Sequence, residues 1–129
     1  MSSSLNSKAA VIILFHGSRA AQSEDAAKNI ANVMRMRGFR DLVVPAFLQH
    51  GSPDLAGAMR ICVAEKVTRV VIVPFFMQTG MHVTADVPDI VRELQARNPS
   101  MAITLTDAVG THPLMVDIVI DLAKNNNPE

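Results

Sequence analysis

Each of the four histidines in this chain follows a different predicted β-strand. They are His16 after the apolar run 9–15, His50 after 42–48, His82 after 69–75 and His112 after 102–106. In a parallel α/β sheet the carboxyl ends of the strands share one edge, and ligands bind there. Imidazoles bind borderline metal ions and exchange protons near neutral pH. The spacing therefore predicts a metal-binding or proton-transfer site at that edge.

The elements that position these histidines alternate between strand and helix. Stretches of helical periodicity cover 22–37, about 53–66, 87 onward and a last segment ending near Lys124, which gives the order βαβαβαβα. Strands separated by helices of this length run parallel with right-handed crossovers. We predict an α/β fold with a four-stranded parallel sheet, order 2-1-3-4, flanked by helices. Its topological switch then lies between the first and third strands, beside His16 and His82.

Local sequence signals predict where the helices begin and end. Gly38 follows the first helical stretch and is expected to cap its carboxyl end. Ser52 is expected to cap the second helix, with Pro53 at its first position. Asp86, Val87 and Pro88 are expected to open the third.

Length and composition limit the class of protein. The 129 residues predict one domain over 9–124, with disordered tails at 1–8 and 125–129. Twelve basic residues balance twelve acidic ones and Trp and Tyr are absent, so we expect no nucleic-acid partner. The single cysteine, Cys62, predicts buried packing in a reducing compartment. No apolar run is long enough to cross a bilayer, so a cytoplasmic protein without a membrane partner is expected.

The first candidate site follows the first strand. His16 stands at the tip of a buried strand, and Gly17 allows a sharp turn that projects the imidazole into the crevice. Ser18 and Arg19 can hold anionic groups at the start of the next helix. The alternative is a loop histidine that only caps backbone groups.

The second candidate site is the loop after the third strand, which is unusually apolar. Phe76, Met77 and Met81 can form a soft wall for a flat organic ligand, and Gly80 can present His82. The same side chains could instead fold under the loop or meet a second subunit.

The remaining histidines carry weaker signals. His112 precedes a proline at a helix start, where it can be a cap or a further binding residue, and His50 reads as an ordinary loop residue. The sequence has no His-x-x-x-His pair and no cysteine cluster, so a structural zinc site is not expected. An open site that receives a metal ion and gives it up fits better.

The order and spacing of several motifs resemble the small single-domain sirohydrochlorin chelatases, the CbiX family. These motifs are Phe15-His16-Gly17-Ser18-Arg19, Ala46-Phe47-Leu48, Val73-Pro74-Phe75-Phe76, Gly80-Met81-His82-Val83, Asp86-Val87-Pro88 and Gly110-Thr111-His112-Pro113. The resemblance implies a lyase with a chelatase-like three-layer fold and a homodimer. It also implies insertion of cobalt, iron or, as in archaeal relatives, nickel into a sirohydrochlorin-type tetrapyrrole for cobalamin or siroheme. No organic cofactor is implied, and the divalent metal is a substrate.

The resemblance also assigns roles to individual residues. His16 matches the family's metal-contacting histidine and proton acceptor, and His82 matches its second metal-binding histidine. The segment that matches the family's macrocycle contacts consists of Met77, Gln78, Thr79, Gly80 and Met81. Gln49 stands where the family usually has a glutamate, and an amide can hydrogen-bond but cannot accept a pyrrole proton.

Two other functions are considered beside the chelatase. A non-catalytic tetrapyrrole or metal carrier on the same fold would follow if Gln49 abolishes insertion. A hydrolase is disfavoured because the sequence has no Gly-x-Ser-x-Gly nucleophile elbow and no Arg directly before His16.

Overall fold

The computed structural model describes residues 8–17, 22–77 and 86–125. Its strands are β1 (Ala9–Phe15), β2 (Leu42–Phe47), β3 (Arg69–Pro74) and β4 (Ala102–Leu105). Its helices are α1 (Gln22–Met36), α2 (Leu55–Ala64), α3 (Val87–Arg97) and α4 (Leu114–Asn125), with a 3-10 turn at Val109–Thr111. Ser18, Arg19 and the segment 78–85, which includes His82, lie outside the described residues, as do 1–7 and 126–129.

The four strands form one parallel sheet in the order β2-β1-β3-β4, which confirms the prediction. β1 is central, so Leu14 lies opposite Ala46 on one side and Pro74 on the other. The pairing continues past the strand ends. The Phe75 amide donates to the Leu14 carbonyl at 2.7 Å, and the Leu48 amide donates to the Phe15 carbonyl at 3.0 Å. The segments that follow three strands therefore meet at one edge.

Alternation along the strands separates two apolar layers. Ile12 and Leu14 point into the larger core with residues of α2 and α3, whereas Ile13 and Val43 pack with α1 on the other face. Side chains of this kind stabilise the fold by about 1.5–3 kcal/mol each when fully buried. Both faces of β1 are packed and both its edges are paired, so the strand fixes the backbone position from which His16 begins.

The helix ends agree with the sequence signals at two places and differ at one. Gly38 has φ +92° and the Phe39 amide donates to the Met34 carbonyl at 3.0 Å, which is the predicted glycine cap of α1. The third helix, α3, begins at Val87 with proline in its first turn, as predicted.

The predicted start of α2 is wrong. Asp54 caps this helix, since its carboxylate accepts a hydrogen bond from the Gly57 amide at 2.8 Å, and the helix begins at Leu55. Ser52 and Pro53 belong to the loop after β2 instead. The Phe47 amide donates to the Pro53 carbonyl at 2.9 Å, and this bond across the loop holds the proline outside the helix.

The last helix, α4, differs from the other three because none of its residues is buried. Six of its large apolar side chains are 46–63% exposed: Leu114, Val116, Ile118, Val119, Ile120 and Leu122. The sheet face over β3 and β4 on the α1 side is also incompletely covered, because Val71 and Val73 are half-buried and Thr104 is exposed. Within the described ranges, no helix has both the length and the apolar character needed to cross a bilayer.

Candidate active site

The site is built around the backbone at the end of β1. The Gln49 amide donates to the His16 carbonyl at 3.2 Å, which extends the β1–β2 pairing by one residue beyond the strands. Gly17 has φ +95°, and a Cβ at this position would lie 1.7 Å from the Gln49 carbonyl oxygen. Only glycine fits there, because any side chain would meet backbone. The turn after His16 is therefore fixed by its neighbour on β2.

The imidazole of His16 is oriented by the same turn. Its Nδ1 lies 3.2 Å from the Gly17 carbonyl oxygen, and the residue is half-buried. A carbonyl oxygen can only accept a hydrogen bond, so this contact favours the tautomer that carries its proton on Nδ1. The lone pair on Nε2 is then open to a metal ion or a proton. A contact of this kind at the other ring nitrogen commonly orients metal-binding histidines.

Phe76 supports the His16 ring from β3. The two ring centroids lie 6.5 Å apart and the rings meet edge to face at 79°. Phe76 is only 8% exposed and belongs to the larger core, so it is a fixed wall for the imidazole. The role of Phe76 in an apolar wall for a flat ligand stays a prediction.

An aromatic cluster lies at the same edge of the sheet, on the face opposite to Phe76. The Phe15 ring stacks on Phe47 at a centroid distance of 5.7 Å and lies 5.0 Å from the Phe75 ring. Sequence patterns alone did not predict this cluster. Strand register could have revealed it, because Phe15 and Phe47 lie on the same rung and Phe75 follows the residue that pairs with Leu14.

The start of the loop after β3 is held by the turn after β4. The Gly110 amide donates to the Phe76 carbonyl at 2.9 Å. A Cβ on Gly110 would lie 2.0 Å from the Met77 carbonyl oxygen, so a side chain here would displace the loop. The Met77 side chain is 60% exposed at this edge. The role of Gly110 was also missed, since its partner is more than thirty residues away in sequence.

Gln49 and His50 follow β2 and are both exposed. The Gln49 backbone is next to that of His16 through this pairing. His50 adopts φ +53° in an exposed turn, and the Ser52 amide beside it donates to a carboxylate oxygen of Glu24 on α1 at 3.1 Å. These contacts hold the loop to α1, and neither of them involves the His50 side chain.

His112 acts as a cap for α4. The Leu114 amide donates to its Nδ1 at 3.1 Å, so the neutral ring carries its proton on Nε2 and keeps no free lone pair. A groove of about 590 Å³ includes His112 in its lining together with Val73 and Ile118, but His16 is not part of it. Between the two roles left open for His112, the geometry supports the cap.

Seven of the predicted site residues lie in the parts of the chain that the structure does not describe: Ser18, Arg19, Gln78, Thr79, Gly80, Met81 and His82. The described residues contain no group of three or more His, Cys, Asp or Glu side chains that could hold a metal ion. From the described part of the site, His16 is therefore the imidazole available at the carboxyl edge of β1.

Cys62 plays no part at this edge. It is fully buried in the larger core, and burial raises the pKa of its thiol. The thiolate, which is the reactive form, is disfavoured there. This agrees with the predicted packing role.

Comparisons with known proteins agree with this architecture. A sirohydrochlorin ferrochelatase of Arabidopsis thaliana chloroplasts is 28% identical over 111 residues, which are 86% of this chain and 49% of that protein. A sirohydrochlorin cobaltochelatase of Methanococcoides burtonii is 22% identical over 92% of this chain and 97% of that protein. The crystal structure of the sirohydrochlorin chelatase SirB from Bacillus subtilis with cobalt has the same fold, with a TM-score of 0.79, 23% identity, and coverage of 92% of this chain and 51% of that one.

This chain thus spans about half the length of the plant relative and of the Bacillus structure, and nearly all of the archaeal relative. The family model CbiX matches residues 10–126, which is almost the whole described fold from β1 to α4. The chain belongs to the CbiX family.

Proposed function

We propose that this chain is a lyase that inserts a divalent metal ion into sirohydrochlorin or a related tetrapyrrole on the way to siroheme or cobalamin. The metal would be cobalt or iron, with nickel as a further option. The observation that carries the proposal is the His16 imidazole at the carboxyl edge of the central strand, whose Nδ1 contact with the Gly17 carbonyl favours a lone pair on Nε2. Family membership and the names of the relatives support it.

The chemistry requires a base on one face of the macrocycle. As the metal dication enters, two pyrrole N–H protons leave, so the charge of the ring system is conserved. His16 contacts the incoming ion through the Nε2 lone pair and, once the ion has passed into the ring, accepts one pyrrole proton at that atom, while the second proton passes to water. His82 is proposed as the second metal ligand. Holding ion and macrocycle face to face removes the entropy of their encounter.

The macrocycle needs an apolar surface and donors for its carboxylates. Met77, exposed beside the fixed Phe76, offers the apolar contact from the described part of the loop. Gln78, Thr79, Gly80 and Met81 are proposed to continue this contact. Ser18 and Arg19 are proposed to bind carboxylates, because a guanidinium pairs with them through two parallel hydrogen bonds.

The test replaces His16 with alanine. His16→Ala should lower the initial rate of metal insertion by at least about 100-fold, the usual contribution of a positioned general base. The rate is followed by absorbance with sirohydrochlorin and Co²⁺, Fe²⁺ or Ni²⁺ in separate cuvettes. His50→Ala is the matched control, since this histidine also precedes Gly-Ser at a strand end but lies outside the site. It should retain the rate within about twofold. A near-normal rate for His16→Ala would contradict the proposal.

A non-catalytic carrier is the second candidate, and Gln49 is the observation that favours it. The Gln49 backbone pairs with that of His16, and the side-chain amide of Gln49 cannot accept a proton as a carboxylate would. A carrier would bind sirohydrochlorin, seen as a change in its absorbance, without accelerating insertion over the protein-free rate.

Gln49→Glu separates these two candidates. If the position contributes to proton removal, the glutamate variant should insert metal about tenfold faster or change its order of preference among the three ions. Gln49→Ala is the control for loss of the amide alone. Unchanged rate and preference in both variants would exclude a role for residue 49.

We also propose that the reaction takes place in the cytoplasm and that the working form is a homodimer. The buried, unpaired thiol of Cys62 is compatible with a reducing compartment. The exposed apolar surface of α4 provides a surface for pairing.

A further inference from the structure

Three segments of the chain meet at the amino-terminal edge of the sheet, which is opposite to the candidate active site. They lead into β1, β2 and β3 and consist of Lys8, residues 35–41 and residues 65–69. Their six cationic side chains, against two acidic ones at Asp41 and Glu65, are Lys8, Arg35, Arg37, Arg40, Lys66 and Arg69. These segments thus have a formal charge of +4 in a chain whose net charge is zero.

The ends of α1 and α2 account for only part of this charge. Both helices end at this edge, and the negative end of a helix dipole favours cations nearby. That end is equivalent to roughly half an elementary charge, so two helices offset about one of the four positive charges. The ion pairs formed within the described ranges, Arg92 with Asp89 and Arg97 with Glu93, both lie on α3. About three positive charges at this edge therefore remain to attract an anion from solution.

The hydrogen bonds of two of these cationic groups position them without neutralising them. The Lys8 ammonium donates to the Glu65 backbone carbonyl at 3.3 Å, and the Arg35 guanidinium donates to the Asn32 side-chain oxygen at 2.9 Å. Both acceptors are uncharged. A guanidinium has five N–H groups, so Arg35 keeps donors for a further partner.

A groove of about 460 Å³ opens among these side chains. Its lining includes three cationic residues and two acidic ones, which are Lys8, Arg35, Arg40, Asp41 and Glu65. Phe39 adds apolar surface, since it is 37% exposed and its backbone is held by a bond from its amide to the Met34 carbonyl at 3.0 Å. Grooves of this size that combine apolar surface with a few charged groups are typical of sites for small organic ligands.

We propose that this groove binds a small organic anion that carries two or more carboxylate or phosphate groups on an apolar body. Arg35 and Arg40 pair with the charged groups, because a guanidinium binds carboxylates and phosphates through parallel hydrogen bonds. Phe39 contacts the apolar body. The groove lies at the edge opposite to His16, so the ligand does not compete with metal insertion. The proposal does not depend on the chelatase activity.

The test measures binding by titration calorimetry at low salt and without metal ions. The probes are trimesate, a benzene ring with three carboxylates, and adenosine diphosphate, an aromatic base with two phosphates. At least one should bind saturably with a Kd below about 1 mM, and the tighter one identifies the charged group that the groove prefers. Benzoate, which has the ring of trimesate but a single carboxylate, should bind at least about tenfold more weakly than trimesate. No saturable binding of either probe below about 10 mM would overturn the proposal.

Two arginine variants test whether the groove or the overall charge is responsible. Arg40→Gln should raise the Kd of the tighter probe at least about tenfold, because it removes a charge-assisted pair. Arg92→Gln makes the same change of charge at an exposed position on α3 and should leave that Kd within about twofold. An equal loss of affinity in both variants would overturn the proposal.

Nuclear magnetic resonance separates this groove from the candidate active site, where carboxylates are also proposed to bind. Titration with the tighter probe should shift the backbone amide resonances of Phe39, Arg40 and Val67, which all line the groove. A shift at Gly17 without shifts at these three residues would place the anion at the catalytic edge and would overturn the proposal. Arg40→Gln should still insert metal within about twofold of the normal rate, since Arg40 lies at the opposite edge from His16. Loss of anion binding and loss of chelatase activity are therefore measured separately.

Discussion

The tripeptide His-Gly-Ser occurs at 16–18 and again at 50–52, each time at the end of a strand, and the structure puts the two copies to different uses. After the central strand β1, His16 is half-buried, its Nδ1 contacts the Gly17 carbonyl and its ring meets Phe76. After the edge strand β2, His50 is exposed with φ +53°. Identical residues therefore yield an oriented imidazole in one place and a loop residue in the other.

The difference comes from the neighbours of each strand. β1 has a strand on both sides, so the Gln49 backbone holds the turn at Gly17 from β2 and Phe76 supports the ring from β3. β2 has a strand on one side only, and its following loop is held by α1 through Glu24. Position in the sheet, not the tripeptide, decides which histidine can do chemistry. Substitutions at the two glycines and at Glu24 test this comparison.

The largest effect on stability and on the rate of metal insertion is expected at Gly17, the glycine of the first tripeptide. Gly17→Ala places a methyl group against the Gln49 carbonyl and forces a side chain into φ +95°. Strain and overpacking together should lower the free energy of unfolding by about 3 kcal/mol, or Tm by about 10 °C. The rate of metal insertion should fall at least about 30-fold because His16 is displaced. Thermal unfolding and the insertion assay measure both; a stable, active variant would show that the tight turn is not required.

A substitution at Gly51, the glycine of the second tripeptide, should affect activity less. A Cβ on Gly51 would lie 2.6 Å from the Phe47 ring, which is buried but can shift as a side chain. We expect Gly51→Ala to cost about 2 kcal/mol of stability and to leave the insertion rate within about threefold. Denaturant unfolding gives the first quantity. If this variant lost as much activity as Gly17→Ala, the two tripeptides would be equivalent and the comparison would fail.

The smallest effect is expected at Glu24, which anchors the loop after β2 to α1. Glu24→Ala removes the carboxylate that accepts from the Ser52 amide, at an exposed position worth about 0.5–1 kcal/mol. Glu24→Gln keeps an acceptor and should recover most of that loss. Both should insert metal within about twofold of the normal rate, since the anchored part of the loop, residues 50–52, carries no proposed group of the site. A large drop in rate would bring His50 back as a functional residue.

Much of the fold follows from sequence because apolar periodicity and strand-helix alternation are local signals. They predicted the sheet order and the position of His16 directly after the central strand. The start of α2 could not be predicted this way. Ser52, Pro53 and Asp54 all suit a helix start, and the hydrogen bond from the Phe47 amide to the Pro53 carbonyl, which no local propensity specifies, decides among them.

The candidate site was predictable to the extent that it depends on strand ends. The tautomer of His16 depends on a contact between side chain and backbone that no spacing rule contains. The cap made by His112 was one of two options in the sequence, and a single bond to the Leu114 amide favours it. The exposure of α4 was not predicted, because an apolar helix pattern does not specify which surface it covers.

The close approach of Gly110 to Met77 has a consequence for protein engineering. A chimaera that takes its carboxyl-terminal third from another protein must keep glycine at position 110. A methyl group there would displace the Met77 backbone. Two stretches far apart along the chain are thus constrained together. A library that randomised position 110 alone would recover few functional clones.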